Sequence, residues 1–81
     1  MKVTVYSTPH CSYCSAAKEF LSLIGIPFQE IDVATDPVAA QEIVDRTGQR
    51  GVPVIDVNGT IIVGFDRQTL LESLKANGFP I

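Results

Sequence analysis

The sequence has little of several things that common protein classes require. Among its 81 residues there is no tryptophan, one histidine and only two cysteines. No apolar run approaches the roughly 18 residues of a membrane-spanning helix. Six basic residues against nine acidic ones give a net charge of −3, the wrong sign for binding a phosphate backbone. We therefore expect neither a nucleic-acid partner nor a membrane partner.

The composition indicates one folded domain. An apolar content of 46% is too high for intrinsic disorder, and we expect residues 1–81 to form a single domain. The first residues alternate after a single lysine and contain no apolar core of a signal peptide. We therefore expect a cytoplasmic protein.

The two cysteines, Cys11 and Cys14, stand three positions apart. As a structural staple, a four-residue ring would remove only about 2 kcal/mol of unfolded-chain entropy. A structural zinc site needs four ligands, and beyond this pair the chain offers only His10. We expect no metal site. The remaining interpretation is a dithiol that cycles between reduced and oxidised forms.

Hydrophobic periodicity predicts seven elements in the order β-α-β-α-β-β-α. The first crossover must be right-handed, so the first two strands run parallel. An Asn-Gly pair predicts a type I′ hairpin between the last two strands, which makes the sheet mixed, with helices on both faces. The predicted strands are Lys2–Tyr6, Phe28–Val33, Pro53–Val57 and Thr60–Val63, and the predicted helices begin near Ser12, after Asp36 and after Asp66, and end at Gly25, Gly48 and Asn77.

Each predicted helix has one apolar face. The predicted face residues are Tyr13, Ala17, Phe20, Leu21 and Ile24 in the first helix, Val38, Ile43 and Val44 in the second, and Leu70, Leu71 and Leu74 in the third.

Three segments in this order resemble the thioredoxin superfamily, and within it the glutaredoxins and NrdH-type redoxins. They are Cys11–Cys14 at the start of a helix, Gly51–Pro53 before the third strand, and Gly64–Asp66 after the fourth. The resemblance covers essentially the whole chain. It implies a thioredoxin-like α/β fold, in which a four-stranded mixed sheet in the order 2-1-3-4 is flanked by three helices.

The position of the dithiol predicts separate roles for its sulfurs. Thiol–disulfide exchange requires a thiolate, and the unpaired N–H groups of a helix N-terminus favour one at Cys11. Cys14 lies one turn inside the helix and is less exposed. We therefore predict that Cys11 is the catalytic nucleophile and Cys14 the resolving cysteine. His10 either assists Cys11 or is a solvated loop residue.

The resemblance also implies a substrate site beside the dithiol. Pro53 would be a cis-proline, and the backbone of Val52 would pair with an extended substrate. Tyr13 is either a wall of the substrate groove or part of the helix surface. Asp66 is expected to cap the last helix, and the segment expected to receive the γ-glutamyl end of glutathione comprises Gly64, Phe65 and Asp66.

Some positions depart from the glutaredoxin pattern. Thr8 stands where many members have a Lys or Arg, Val63 replaces a glycine, and Arg67 replaces an acidic residue. Gln49 or Arg50 is an alternative partner for a glutathione carboxylate. The Gly64-Phe65 pair resembles the corresponding segment of NrdH-type redoxins. Those proteins usually have Val-Gln between the cysteines, where this chain has Ser12-Tyr13.

The resemblance implies a monomeric thiol–disulfide oxidoreductase with no tightly bound cofactor. Its substrates would be protein disulfides or glutathione mixed disulfides, and its reductant either glutathione with glutathione reductase or thioredoxin reductase. One alternative is an NrdH-like electron donor to ribonucleotide reductase. Another is a dimer that binds a [2Fe–2S] cluster through Cys11 and glutathione. Some cluster-binding members have a serine between the cysteines, as this chain has at Ser12.

Overall fold

The computed structural model describes residues 2–81 and contains the seven elements in the predicted order. The strands are β1 (Val3–Ser7), β2 (Gln29–Asp32), β3 (Val54–Val57) and β4 (Thr60–Val63), and the helices are α1 (Ser12–Leu23), α2 (Pro37–Thr47) and α3 (Arg67–Ala76).

The strands form one mixed sheet in the order β2-β1-β3-β4. β1 runs parallel to β2, and β3 runs antiparallel to both β1 and β4. The hairpin turn has positive φ at Asn58 (50°) and Gly59 (100°), as a type I′ turn requires. The thioredoxin-like fold is therefore confirmed.

A hydrophobic core lies on each face of the sheet. Because strand side chains alternate, Ile55 contributes to the face covered by α1 and α3, whereas Val54 contributes to the face covered by α2. Leu70 and Leu74 of α3 are fully buried on the first face. Ile43 of α2 is buried on the second. These two layers hold the start of α1 at the end of the central strand β1.

Two aspartates fix where the later helices begin. Asp36 accepts a hydrogen bond from the amide of Ala39, and Asp66 accepts one from the amide of Thr69. Each carboxylate satisfies an amide that the first helical turn leaves without a partner. Both helices therefore begin directly after their aspartates, as predicted.

The strand boundaries differ slightly from the predicted ones. β1 continues to Ser7, whose neighbour in the ladder is Asp32. β2 is shorter than predicted at both ends. β3 begins at Val54 because Pro53 has no N–H with which to extend the ladder.

One prediction of a buried helix position was wrong. Val38 is 75% exposed, and the buried side chain in the first turn of α2 is Ala39. Tyr13 continues the apolar pattern of α1 but is 67% exposed, as its place between the cysteines suggests, and Cys14 is the buried residue in that turn. The predicted face residues Ala17, Phe20 and Leu21 of α1 and Ile43 of α2 are buried. Within residues 2–81, no helix combines the length and apolar character needed to cross a membrane.

Candidate active site

Cys11 is the N-cap residue of α1. Its backbone is extended (φ −130°, ψ 107°), and its Sγ accepts a hydrogen bond from the amide of Cys14 at 3.1 Å. A Ser or Asp side chain usually accepts this bond, so here a sulfur stands where a helix favours an anionic acceptor. The Cys11 carbonyl also accepts the amide of Ser15 at 3.1 Å. The first turn of α1 thus holds this sulfur by its own backbone.

The two cysteines are joined by a disulfide but differ in access to solvent. Cys11 is half-buried, whereas Cys14 is 1% exposed and faces the interior. An external disulfide or reductant can therefore approach the Cys11 sulfur directly. It can reach Cys14 only after the helix terminus opens.

The loop before β3 lies against the dithiol. The Val52–Pro53 peptide bond is cis, as the family resemblance implied. The Val52 carbonyl oxygen is 3.9 Å from Cys11 Sγ. Within residues 2–81, the Val52 amide and carbonyl make no backbone hydrogen bond. The sheet uses neither group, and the carbonyl lies beside the Cys11 sulfur.

The third of the predicted segments, Gly64–Asp66, is hydrogen-bonded to this loop through the backbone. The Gly64 amide donates to the Pro53 carbonyl at 2.8 Å. The next residue, Phe65, packs its ring against Phe20 of α1 with the centroids 6.0 Å apart. The Arg67 guanidinium lies 5.2 Å from the centre of the same Phe20 ring. The structure therefore brings all three predicted segments together at one end of the sheet.

Asp66 is exposed and engaged with its own helix. Its carboxylate accepts bonds from both the hydroxyl and the amide of Thr69, at 2.6 and 3.2 Å. The Thr69 hydroxyl, followed by the amide, lowers the pKa of Asp66 below its ordinary value. The carboxylate is thus charged at neutral pH, and it lies on the surface beside Phe65.

Other residues weighed from the sequence have different surroundings. His10 and Tyr13 are exposed on the rim of the site, and Thr8 is half-buried. Gln49 was an alternative partner for a glutathione carboxylate, but its side chain bonds to the backbone of Gly51. An open groove of about 860 Å³ that Phe20 and Arg67 help to line includes neither cysteine.

One polar cluster, in which only Ser7 is buried, was not foreseen. Ser7, 1% exposed, donates its hydroxyl proton to Glu30 at 2.9 Å, and Lys18 of α1 forms an ion pair with the same carboxylate oxygen. The bonds from Lys18 and then Ser7 lower the pKa of Glu30. The cluster ties α1 to β1 and β2, and only the polar Ser7 at the end of an apolar strand hinted at it.

The part of the chain that the structure describes contains no group of three or more His, Cys, Asp or Glu side chains placed to hold a metal ion. The groups of this site that can take part in thiol–disulfide chemistry are the Cys11 and Cys14 sulfurs, and the backbone of Val52 lies beside them.

Comparison with known proteins agrees with this geometry. Residues 3–62 match the family model described as Glutaredoxin. The chain is 42% identical over 65 residues to an uncharacterized glutaredoxin-like 8.6 kDa protein in the rubredoxin operon of Clostridium pasteurianum, covering 80% of this chain and 87% of that one.

Two solved structures are similar over most of their length. One is the glutaredoxin-like NrdH-redoxin from Escherichia coli, whose structure is described as the basis for a thioredoxin-like activity profile. Its TM-score is 0.83 at 28% identity, covering 89% of this chain and 93% of that one. The other is a buckwheat glutaredoxin–glutathione complex, with a TM-score of 0.78 at 26% identity, covering 98% and 81%.

Proposed function

The chain belongs to the glutaredoxin family, and on that premise we propose that it is a thiol–disulfide oxidoreductase that works through Cys11 and Cys14. One observation carries the proposal: the two sulfurs are within bonding reach, yet one is accessible and the other is buried. An accessible sulfur at a helix N-terminus is suited to attack, and a buried neighbour is suited to complete the exchange.

The reaction has two displacement steps. The Cys11 thiolate attacks one sulfur of a substrate disulfide, forms a mixed disulfide and releases the other substrate sulfur as a thiolate that takes a proton from water. Cys14, after losing its proton to water, attacks the Cys11 sulfur and releases the second substrate thiol. Two electrons pass to the substrate, and the product is the Cys11–Cys14 disulfide present in this structure.

The Val52 backbone supports a binding role for the neighbouring loop. A residue that pairs with Val52 in the antiparallel manner exchanges two hydrogen bonds with it and lies next to Cys11 Sγ. We propose that the substrate cysteine, in a protein disulfide or in glutathione, occupies this position. The rest of the proposed substrate site consists of Tyr13, Pro53, Gly64, Phe65 and Asp66.

Two reductants are candidates, and the charge near the third segment favours one. The buckwheat relative was solved with glutathione, whose γ-glutamyl end carries an ammonium group. Here Arg67 replaces a family carboxylate, and its guanidinium repels an ammonium at this position. Thr8 also lacks the cation that meets a glutathione carboxylate in many relatives. These two residues favour thioredoxin reductase, in line with the NrdH-redoxin likeness.

A coupled assay of NADPH oxidation tests both levels of the proposal. One arm contains glutathione with its reductase, the other thioredoxin reductase alone, and both contain a protein disulfide. We expect turnover in the second arm to exceed that in the first. Faster turnover with glutathione would contradict the choice of reductant.

Single-cysteine variants test the chemistry itself. Cys11→Ser is expected to abolish turnover in both arms, whereas Cys14→Ser should accumulate the mixed disulfide with the substrate. Full activity in Cys11→Ser would refute the mechanism. The Ser variants are matched controls for each other because each retains one sulfur.

We further propose that the chain acts as a single, monomeric cytoplasmic domain, since its dithiol must be reduced again after each cycle and the cytosol keeps thiols reduced. Ribonucleotide reductase stays a predicted client of the NrdH-like alternative. The dimeric [2Fe–2S] alternative predicts visible absorbance after anaerobic purification.

A further inference from the structure

The loop that carries Val52 is held by a side chain that the proposed chemistry does not use. Gln49 Oε1 accepts the amide of Gly51 at 2.6 Å, and Gln49 Nε2 donates to the Gly51 carbonyl at 3.2 Å. One side chain thus occupies both backbone groups of the residue directly before Val52. We call these residues, together with Thr47, the Gln49 clamp.

Thr47 connects the clamp to the end of α2. Its hydroxyl donates to the Ile43 carbonyl at 2.6 Å and accepts from the Gln49 amide at 3.3 Å and from Gln49 Nε2 at 3.4 Å. The Gln49 carbonyl also lies 3.0 Å from this hydroxyl, whose single proton serves one of the two carbonyls at a time. These bonds fix the first part of the loop to the end of α2.

We propose that Gln49 is a positioning residue for substrate pairing at Val52, an inference that rests on the proposed function. With the Gly51 amide and carbonyl occupied, the loop presents the backbone of Val52, 3.9 Å from Cys11 Sγ, to an incoming chain. Gln49 therefore restricts pairing to one residue of the substrate and sets the register that places a disulfide against Cys11. Without it, the loop loses both bonds that hold Gly51 and with them the fixed orientation of the Val52 backbone.

Gly51 supplies an internal test of this arrangement. Its φ is not positive, so its backbone conformation accepts an alanine. A Cβ built there would lie 2.6 Å from Gln49 Oε1, and the flexible glutamine side chain would have to leave. Gly51→Ala should therefore reproduce the effect of Gln49→Ala, and the double variant should be no worse than either.

The experiment is a single-turnover reaction of the reduced protein with two disulfides. One is a peptide disulfide, which can pair with Val52, and the other is hydroxyethyl disulfide, which has no backbone. For Gln49→Ala we expect the half-saturating peptide concentration to rise about three- to tenfold, the size of one neutral hydrogen bond. The maximal rate and the rate with hydroxyethyl disulfide should not change.

One further measurement and one control variant distinguish failure of the clamp, of the positioning role and of the proposed function. Amide hydrogen exchange at Gly51 should accelerate in Gln49→Ala, and unchanged exchange would overturn the clamp itself. Gln41→Ala is the matched control, because that glutamine donates its side-chain amide to Asp45 on the exposed face of α2, away from the loop. If Gln49→Ala is active but its half-saturating concentration of the peptide disulfide equals that of the wild type, only the positioning role of Gln49 is overturned. A wild type that reacts with neither disulfide would refute the proposed function instead.

Discussion

The difference in burial between the two sulfurs predicts a difference in their alkylation rates. In the disulfide-bonded structure, Cys11 is half-buried and Cys14 is 1% exposed, and we expect the reduced protein to keep this difference. To reach Cys14, a reagent must wait until the first turn of α1 opens. Opening breaks the bond from the Cys14 amide to Cys11 Sγ and the bond from the Ser15 amide to the Cys11 carbonyl.

The magnitude follows from those two bonds. At a net value of about 1 kcal/mol each, the opening costs about 2 kcal/mol, which corresponds to a rate about thirtyfold lower for Cys14. This ratio is a lower bound, since opening also uncovers apolar surface. Any preference for the thiolate at Cys11 increases it further.

The assay is a brief pulse of iodoacetamide on the reduced protein, followed by denaturation and chymotryptic digestion. Cleavage after Tyr13 separates the two cysteines, so mass spectrometry quantifies each one. The variants Cys11→Ser and Cys14→Ser give the two rates independently. Equal rates, or faster modification of Cys14, would refute the assignment of nucleophile and resolving cysteine.

Three further predictions concern the support of the site. Hydrogen bonds from Thr69 lower the pKa of Asp66 in the folded protein, so the charged carboxylate stabilises the fold above its ordinary pKa, and this stabilisation is lost as pH falls through the lowered pKa. The difference in melting temperature between wild type and Asp66→Ala should therefore persist at neutral pH and narrow below about pH 4. A difference that does not depend on pH would contradict this prediction. Leu74 is fully buried, so Leu74→Ala should lower the free energy of unfolding, measured by urea titration, by about 2–5 kcal/mol. Leu71 is half-buried, so Leu71→Ala should lower it by less. Equal losses in the two variants would contradict this difference in packing. Arg67→Asp restores the acidic residue common in relatives and should raise turnover in the glutathione arm relative to the thioredoxin reductase arm; an unchanged ratio would remove Arg67 as the cause of the preference.

Much of the fold could be predicted because its signals are local. Asp36 before Pro37, the Asn58–Gly59 pair and the change from alternating to helical periodicity each determine one boundary. The handedness of the first crossover then determines how β1 and β2 pair. Burial in the first turn of α2 was harder to predict, because Val38 is apolar yet lies just outside the covered face.

The site was predictable where backbone geometry defines it and not where side chains bridge distant segments. A cysteine at a helix N-terminus can be recognised from its position in the sequence. By contrast, the Ser7–Glu30–Lys18 cluster depends on contacts between three elements. The bond from Gln49 to Gly51 spans two residues, and glutamine at this spacing has no strong sequence preference that would reveal it.

The exposed position of Tyr13 gives this protein an optical property. In a chain without tryptophan, ultraviolet emission comes from two phenol rings, Tyr6 in the interior and Tyr13 between the reactive sulfurs. A neighbouring disulfide quenches phenol fluorescence, and cleavage of that bond relieves the quenching. We therefore expect the emission of Tyr13 to rise when the Cys11–Cys14 bond is reduced, so that a fluorimeter can follow the redox state of the protein without a dye.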